Sequence, residues 1–322
     1  MIQDPLSDFL ELVQVRCSIS TRLVAGGDWA RRFANLDAIK LCAAVEGSAW
    51  SFMEGMAAPA RFAAGDVLVM NGARALILAS DKKLIDGAVT TPLRQDEGGV
   101  YRLGRGEGFM MLSGAVLIDE RRQPLLLSGL PPMLHVHGNQ PEATTLSWLL
   151  DQIVREMEPG PRPGQSFIMA ELSQLMFVHT LRAYLASAPA DENGWLKGLG
   201  DKRLAPALNR IHAEPRRDWN LEELASIANM SRTTFAVRFR KMMGMPPHAY
   251  ITKWRMHRAE RDLRAGTSMA EVAYSAGYKS ESAFAHAFKR TMGIAPGRCR
   301  KVSEDENKTR AGHLQEVAMD AF

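Results

Sequence analysis

Leu221–Pro247 reads LEELASIANMSRTTFAVRFRKMMGMPP, and Met269–Pro296 reads MAEVAYSAGYKSESAFAHAFKRTMGIAP. The second stretch repeats the first. Leu224 aligns with Val272, Ala225 with Ala273 and Ala228 with Ala276. After one extra residue in the second copy, Ser231 aligns with Ser280, Phe235 with Phe284 and Phe239 with Phe288, and the match runs on through Met243/Met292, Gly244/Gly293 and Pro247/Pro296. Each copy parses as helix, tight turn, helix. Asn220 with Glu223, and Ser268 with Glu271, have the spacing of a capping box, in which a side chain at the helix start and one three residues on satisfy each other's free backbone N–H groups. Ser231 and Ser280 are natural N-caps for the second helices. Gly244 and Gly293 fall where a left-handed residue ends a helix. Such a pair of helices is the helix-turn-helix plan, whose second helix enters the major groove of DNA.

Phasing the second helices at 100° per residue separates two faces. Phe235, Phe239 and Met242/Met243 share one face of the first, and Phe284, Phe288 and Met292 one face of the second; both faces must be core. The opposite faces show Thr233, Ala236, Val237, Arg240 and Lys241 in the first, and Ser282, Ala285, His286, Lys289 and Arg290 in the second. Small side chains permit close approach to a duplex, Arg and His donate to guanine, and Val237 suits a thymine methyl. Ser231, Arg232 and Ser280 lie at the helix starts, and Arg232 and Arg238 on the flanks point to phosphate contact. Glu281 reads as a charge partner of its own helix N-terminus. Between the units, Pro247 to about Ala265 is expected as one helix, ~28 Å long, with Tyr250, Trp254 and Met256 in its core. A strut of that length holds two recognition helices about one DNA turn apart, ~34 Å.

Charge is distributed to match. Across 322 residues the net charge is only +4, but Lys202–Lys301 carries 20 Lys+Arg against 8 Asp+Glu, and the remainder is acidic. A basic block on an acidic protein is the electrostatic footprint of a nucleic-acid partner. No apolar run approaches the ~18 residues of a membrane span. The acidic start MIQDPLSDFL is unlike a secretory signal, so a soluble, cytoplasmic protein is expected. Three cysteines, Cys17, Cys42 and Cys299, have no metal-ligand spacing and suit a reducing compartment.

Residues 1–138 read as β-rich. Short apolar runs at 38–45, 50–53, 67–70, 75–79, 109–112, 116–118 and 125–127 are separated by turn signals such as Gly65-Asp66, Asn71-Gly72 and Asp86-Gly87. Closely spaced short strands suggest a small barrel or sandwich. Helices are expected over Glu142–Glu158 and Gln165–Ser187, the latter with a buried stripe of Ile168, Leu172, Leu175, Met176, Leu181 and Leu185. Residues 188–201 read as a linker, 202–301 as the DNA-binding domain and 302–322 as a flexible tail.

The turn Ala273-Tyr-Ser-Ala-Gly-Tyr278, the Phe284-x-x-x-Phe288-Lys289 core and the Gly293-x-x-Pro296 ending resemble the C-terminal signature of the AraC/XylS family of bacterial transcription regulators. The resemblance covers about Asp201–Lys301. It implies a seven-helix, all-α domain with two helix-turn-helix units, double-stranded promoter DNA as partner and RNA polymerase as a further candidate contact. Arg16-Cys17, Gly27-Asp28-Trp29, Phe62-x-x-Gly65-Asp66-Val67 and Leu130-Pro-Pro-Met-Leu-His135 are similar to the cupin-type sensor domain of some members. That resemblance implies a β-barrel that senses a small molecule or an oxidant, and a helical segment, 139–187, that relays the signal or forms a homodimer through the 142–187 helices. Activation and repression are both open.

Effector or redox candidates are Cys17, which follows a cation; Cys42; Arg74, with Arg94, Arg102 and Arg105 as further anion-binding residues; and His135. The bland alternatives are buried small hydrophobes for the thiols and ordinary charged surface for the arginines. Near Gly65-Asp66 the His of a metal-binding cupin is missing and Arg74 stands in the region instead. His135 and His137 are read as facing opposite ways without a partner set. No metal and no resident cofactor is expected, and a cupin enzyme fused to a DNA-targeting domain is disfavoured. A constitutive architectural binder with a purely structural barrel is a further alternative.

Overall fold

The computed structural model describes residues 4–34, 38–90, 92–118, 122–127, 129–158, 160, 162–187 and 195–299. The expected tail, 302–322, lies outside them, as does part of the expected linker. In chain order the elements of the first half are α1 (Pro5–Val13), β1 (Arg16–Gly26), β2 (Ala30–Phe33), β3 (Ile39–Met53), β4 (Ala60–Ala63), β5 (Val67–Met70), β6 (Leu76–Ala79), β7 (Val100–Gly104), β8 (Phe109–Leu117), α2 (Gln123–Leu127), β9 (Met133–Val136), α3 (Thr144–Glu156) and α4 (Gln165–Ser187). The second half is helical: α5 (Trp195–Gly200), α6 (Ala205–Ala213), α7 (Leu221–Ile227), α8 (Arg232–Met243), α9 (Pro247–Arg264), α10 (Met269–Ser275) and α11 (Glu281–Met292). The described residues fall into two compact units. One holds residues 15–187, and the other joins 4–14 to 195–299.

The first unit is a curled sheet of nine strands with the order β2-β6-β3-β8-β1-β7, to which β4 and β5 add on β3 and β9 on β5. The long strand β3 makes the curl. The runs 38–45 and 50–53, expected as separate strands, are one strand that bends rather than breaks. Its residues 39–47 pair with β8, whereas 48–53 pair with β4 and β6. The bend falls at Gly47, which has φ 67°, and a Cβ there would collide with the Gly108 carbonyl oxygen. A glycine in that conformation carries no steric cost. The concave face is filled by Leu23, Trp29, Met53, Phe62, Leu68, Met70, Leu76, Leu78, Phe109 and Met111.

Two expectations about this unit are corrected. Residues 125–127 belong to the short helix α2, not to a strand; a short apolar run does not distinguish the two by periodicity. In α4 the buried face runs through Leu172, Ser173, Met176, Phe177, Thr180, Leu181 and Tyr184, while Ile168 and Leu175 are exposed. The stripe therefore lies one position around the helix from where apolarity alone placed it. A hydrogen bond ties this helix to the sheet. The register of β1 against β8 slips between Ile19 and Thr21, and the Ile19 N–H donates to the Ser173 hydroxyl at 3.1 Å. The hydroxyl in turn donates to the Met169 carbonyl at 2.6 Å.

The second unit contains two cores strung on one helix. The first gathers Leu204, Leu208, Ile211, Trp219, Leu224, Phe235, Phe239, Met243, Ile251 and Trp254. The second gathers Met256, Ala259, Leu263, Val272, Ala273, Phe284, Ala287, Phe288 and Cys299. The helix α9 gives Ile251 and Trp254 to the first and Met256, Ala259 and Leu263 to the second. Its 18 residues span ~27 Å at 1.5 Å per residue. Residues 195–200, expected as linker, form α5, whose Leu196 is buried and whose Trp195 and Leu199 pack on the first core. The N-terminal helix α1 also packs in this unit, with Leu12 in the first core.

Candidate nucleic-acid interface

The two helix-turn-helix units are built as their sequences dictate. Ser231 accepts from the Thr234 N–H at 3.2 Å, and Ser280 from the Ala283 N–H at 3.2 Å. Gly244 and Gly293 close α8 and α11 in the left-handed conformation, with φ of 72° and 75°. Ser268 and Glu271 form the full reciprocal box. Asn220 makes only half of its box: it accepts from the Glu223 N–H, while the Glu223 carboxylate reaches Arg217 at 3.4 Å. The turns share a left-handed residue at equivalent positions of the repeat, Asn229 with φ 50° and Gly277 with φ 82°. Asn and Gly are the residues that visit that region at least cost.

Phe235, Phe239, Phe284 and Phe288 are fully buried, with ring centroids 5.5 Å apart within each pair. The opposite faces are open. Ser231, Arg232, Thr233, Val237, Arg240 and Lys241 are exposed, as are Ser280, Glu281, Ser282, His286, Lys289 and Arg290; Ala236 and Ala285 are half-buried. Val237 is 64% exposed, a β-branched hydrophobe standing in water. Among the described residues, none of Arg232, Arg240, Lys241, Lys289 and Arg290 makes an ion pair. Unneutralised cations interleaved with small and apolar side chains are suited to an anionic partner whose surface comes close.

Arg238 departs from expectation. Its guanidinium is spent on the buried Asp201 carboxylate, with Nε–Oδ2 at 3.1 Å and a further bond from Nη2. Burial pushes the Asp201 carboxyl up, but bonds from Arg238 and from the Leu204 and Arg203 N–H groups outweigh it and hold its pKa below the usual range. Arg238 therefore anchors α8 to the start of α6 through Nε and Nη2, and its side chain stays 39% exposed.

A buried polar chain was not visible in the sequence. His212 on α6 bonds Asp8 on α1 through Nδ1 at 2.9 Å and the Tyr250 hydroxyl on α9 through Nε2 at 2.7 Å. Burial lowers the His212 pKa, against the opposing pull of Asp8. A neutral ring that donates from Nδ1 to Asp8 and accepts at Nε2 from Tyr250 satisfies all three groups. The three residues are 204 and 38 positions apart in the chain, so only the fold brings them together.

The structure separates the effector and redox candidates. Cys17 and Cys42 are both buried, and burial raises both thiols, Cys42 to about 12. Cys17 lies across β8 from Ile39 through their shared partner Val116, so it shares the face of Ile39 and Leu41. Cys42 points to the concave face. Opposite faces of one sheet do not allow a disulfide without backbone movement. Arg74 is held by the Glu54 carbonyl at 2.7 Å, and Arg102 by Asp96 and Glu107. The reading of His135 and His137 is corrected. Residues two apart on a strand share a face, and both imidazoles turn toward Asp66, His135 Nε2 at 2.9 Å and His137 Nδ1 at 3.5 Å from the same carboxylate oxygen.

A duplicated helix-turn-helix on one connecting helix, in a chain that also carries a curled β-sheet unit, defines a DNA-binding protein of the regulator class. Residues 4–186 match the family described as Cupin, and residues 224–302 that described as Helix-turn-helix domain. Among known proteins, the chain is 40% identical over 302 residues to a putative AraC-like transcription regulator of Streptomyces lividans, a match covering 92% of this chain and 98% of that protein. It is 36% identical over 299 residues to a putative AraC-like transcription regulator of Streptomyces antibioticus, with the same coverage of 92% and 98%. The HTH-type transcriptional regulator MtrA of Neisseria gonorrhoeae is 28% identical over 301 residues, again with 92% of this chain and 98% of that protein covered. The chain belongs to the AraC-like transcription regulators, with a cupin domain ahead of its DNA-binding helix-turn-helix domain. No helix among the described residues is long and apolar enough to cross a membrane.

Proposed function

We propose that this chain regulates a promoter by seating α8 and α11 in successive major grooves on one face of the duplex. The observation that carries this reading is the pairing of two equivalent helix faces, each with unneutralised cations, across two cores that share α9. Arg240, His286 and Val237 read base edges, and Arg232, Lys241, Lys289 and Arg290 hold phosphates. A duplex partner places the working protein with the chromosome, in the cytoplasm, where RNA polymerase is the second contact.

The sheet unit is the sensor, and Ser173 is where it meets α4. A ligand that shifts β1 moves the Ile19 N–H away from Ser173 and biases the helix. The outer face of α4 serves self-association. Phe167 is 72% exposed and Leu175 46%, with Glu171 and Arg182 on the same side. Antiparallel pairing of two copies about a point between Met176 and Phe177 sets Glu171 against Arg182 of the second copy and Leu175 against Val178. Glu171→Arg combined with Leu175→Glu shifts the sedimentation of the full chain to a smaller species if the pairing exists; unchanged sedimentation removes it. DNA reading is tested by Arg240→Ala and His286→Ala, which weaken binding to the operator more than binding to a scrambled duplex. Equal loss on both would remove the base-reading assignment.

A further inference from the structure

We infer that Asp66, His135 and His137 form a binding site for a divalent first-row transition metal ion such as Zn²⁺. The register of the sheet assembles it. Leu68 on β5 faces His135 on β9, and two residues further out the turn before β5 brings Asp66 opposite His137. All three side chains thus leave the same face of the pair. Their ligand atoms lie within 4.8 Å of one another. The two imidazole rings stand 4.0 Å apart, and Phe62 packs edge-on against His135.

The donor set and its spacing both suit such an ion. Bonds of about 2.1 Å to N and O ligands place neighbouring donors roughly 3.0–3.4 Å apart; the observed separations from the Asp66 oxygen are 2.9 and 3.5 Å. The carboxylate is already aimed. The Gly138 N–H donates to Oδ1 at 2.8 Å and the Ala63 N–H to Oδ2 at 3.1 Å. Those bonds are the outer shell that orients a ligating carboxylate. A hydrogen bond explains His135, whose Nε2 meets Asp66 at full strength. It does not explain why a second imidazole turns its Nδ1 to the same oxygen at 3.5 Å, where a hydrogen bond is weak. Two imidazoles and one carboxylate select borderline divalent ions over Mg²⁺ and Ca²⁺, which prefer oxygen, and leave coordination positions open. His137, at 49% side-chain exposure against 12% for His135, is the side from which ion and water enter. These are not the ligands that the cupin resemblance describes, whose expected His is absent where Arg74 stands.

The site deepens the sensor reading and rests on it only for its consequence, because an ion here would clamp β9 to the turn before β5. Binding itself is tested independently of regulation. Full-length protein, stripped with EDTA and dialysed, is titrated with Zn²⁺ by calorimetry, and with Co²⁺ followed by its visible absorption. The expected result is one equivalent bound, a rise in Tm with Zn²⁺ and perturbed imidazole NMR signals of His135 and His137. In His137→Ala, which keeps the Asp66–His135 bond, affinity for Zn²⁺ falls at least about tenfold, the lower end of what loss of even an outer-shell partner costs. Binding of equal strength in wild type and His137→Ala, or saturation with Zn²⁺ that leaves both imidazoles unperturbed, would overturn the site. Operator binding measured with and without Zn²⁺ is the separate arm. If Zn²⁺ binds without changing it, the site stands and its regulatory role falls; if Zn²⁺ does not bind, the site falls and the sensor reading stands.

Discussion

Replacing Phe288 by Ala should loosen one helix-turn-helix unit and spare the other. Phe288 is fully buried in the second core, 5.5 Å ring to ring from Phe284. Truncating a buried phenylalanine costs ~3–5 kcal/mol, including the cavity left behind. That loss falls on a small core made of the second half of α9, α10, α11 and Cys299. The first core shares none of those side chains and meets the second through α9 and through Arg216, which stacks on Tyr274 of α10 and whose carbonyl lies beside Gly277. Local opening is governed by the stability of the unit that opens. A 3–5 kcal/mol loss therefore speeds amide exchange in α10 and α11 by roughly 10²–10⁴-fold at 1.36 kcal/mol per tenfold. Amides of α7 and α8 should stay within about threefold of wild type, the scatter expected for sites that do not share partners. Hydrogen exchange followed by mass spectrometry on the full chain measures both regions at once. Equal acceleration in α7–α8 and α10–α11 would refute the two-core account and show one cooperative domain. No acceleration anywhere would show that Phe288 does not support α11.

Ser173→Ala removes the acceptor of the buried Ile19 N–H, and an unsatisfied buried donor costs ~1–3 kcal/mol; a thermal melt with Tm unchanged would show that the β1–α4 link is dispensable. His212 gives a pH signature. Its pKa is lowered in the fold from 6.5, so as pH falls below that value the unfolded chain takes up the proton first, and stability drops by at most ~1.4 kcal/mol per pH unit until the folded pKa is reached. Urea melts from pH 7.5 to 5.5 should show the decline in wild type and a flatter profile in His212→Gln; parallel profiles would contradict the neutral ring. Cys17 and Cys42 should resist a thiol reagent in the native protein, since both are buried and protonated. Rapid labelling of either in the folded state would restore the redox reading.

The helical half was legible because its signals are local. Caps, left-handed glycines and a phenylalanine every fourth residue fix α8 and α11 within the repeat, and the outer faces follow from phase alone. The strand β1 had its own signal: Arg16, Ser18 and Ser20 are exposed between buried Cys17, Ile19 and Thr21, the period of a half-buried strand. Its first half, residues 16–22, holds no run of consecutive apolar residues. Arg238 looked like its neighbours until Asp201, 37 residues earlier, was seen to claim it. The Asp66 cluster depended on two things: the shared face of residues two apart, and a register between strands 69 positions distant. The first was open to sequence reasoning, whereas the second is a property of the assembled sheet.

The central claim is that this chain reads a specific operator through two helix faces. Its most direct test is binding of the full-length protein to the duplex flanking its own gene, titrated in salt against a scrambled duplex. The account predicts a preference of ~10³ or more, with affinity falling steeply as salt rises, and the preference reduced in Arg240→Ala. Equal affinity for the two duplexes across the salt range, unchanged by Arg240→Ala, would contradict it.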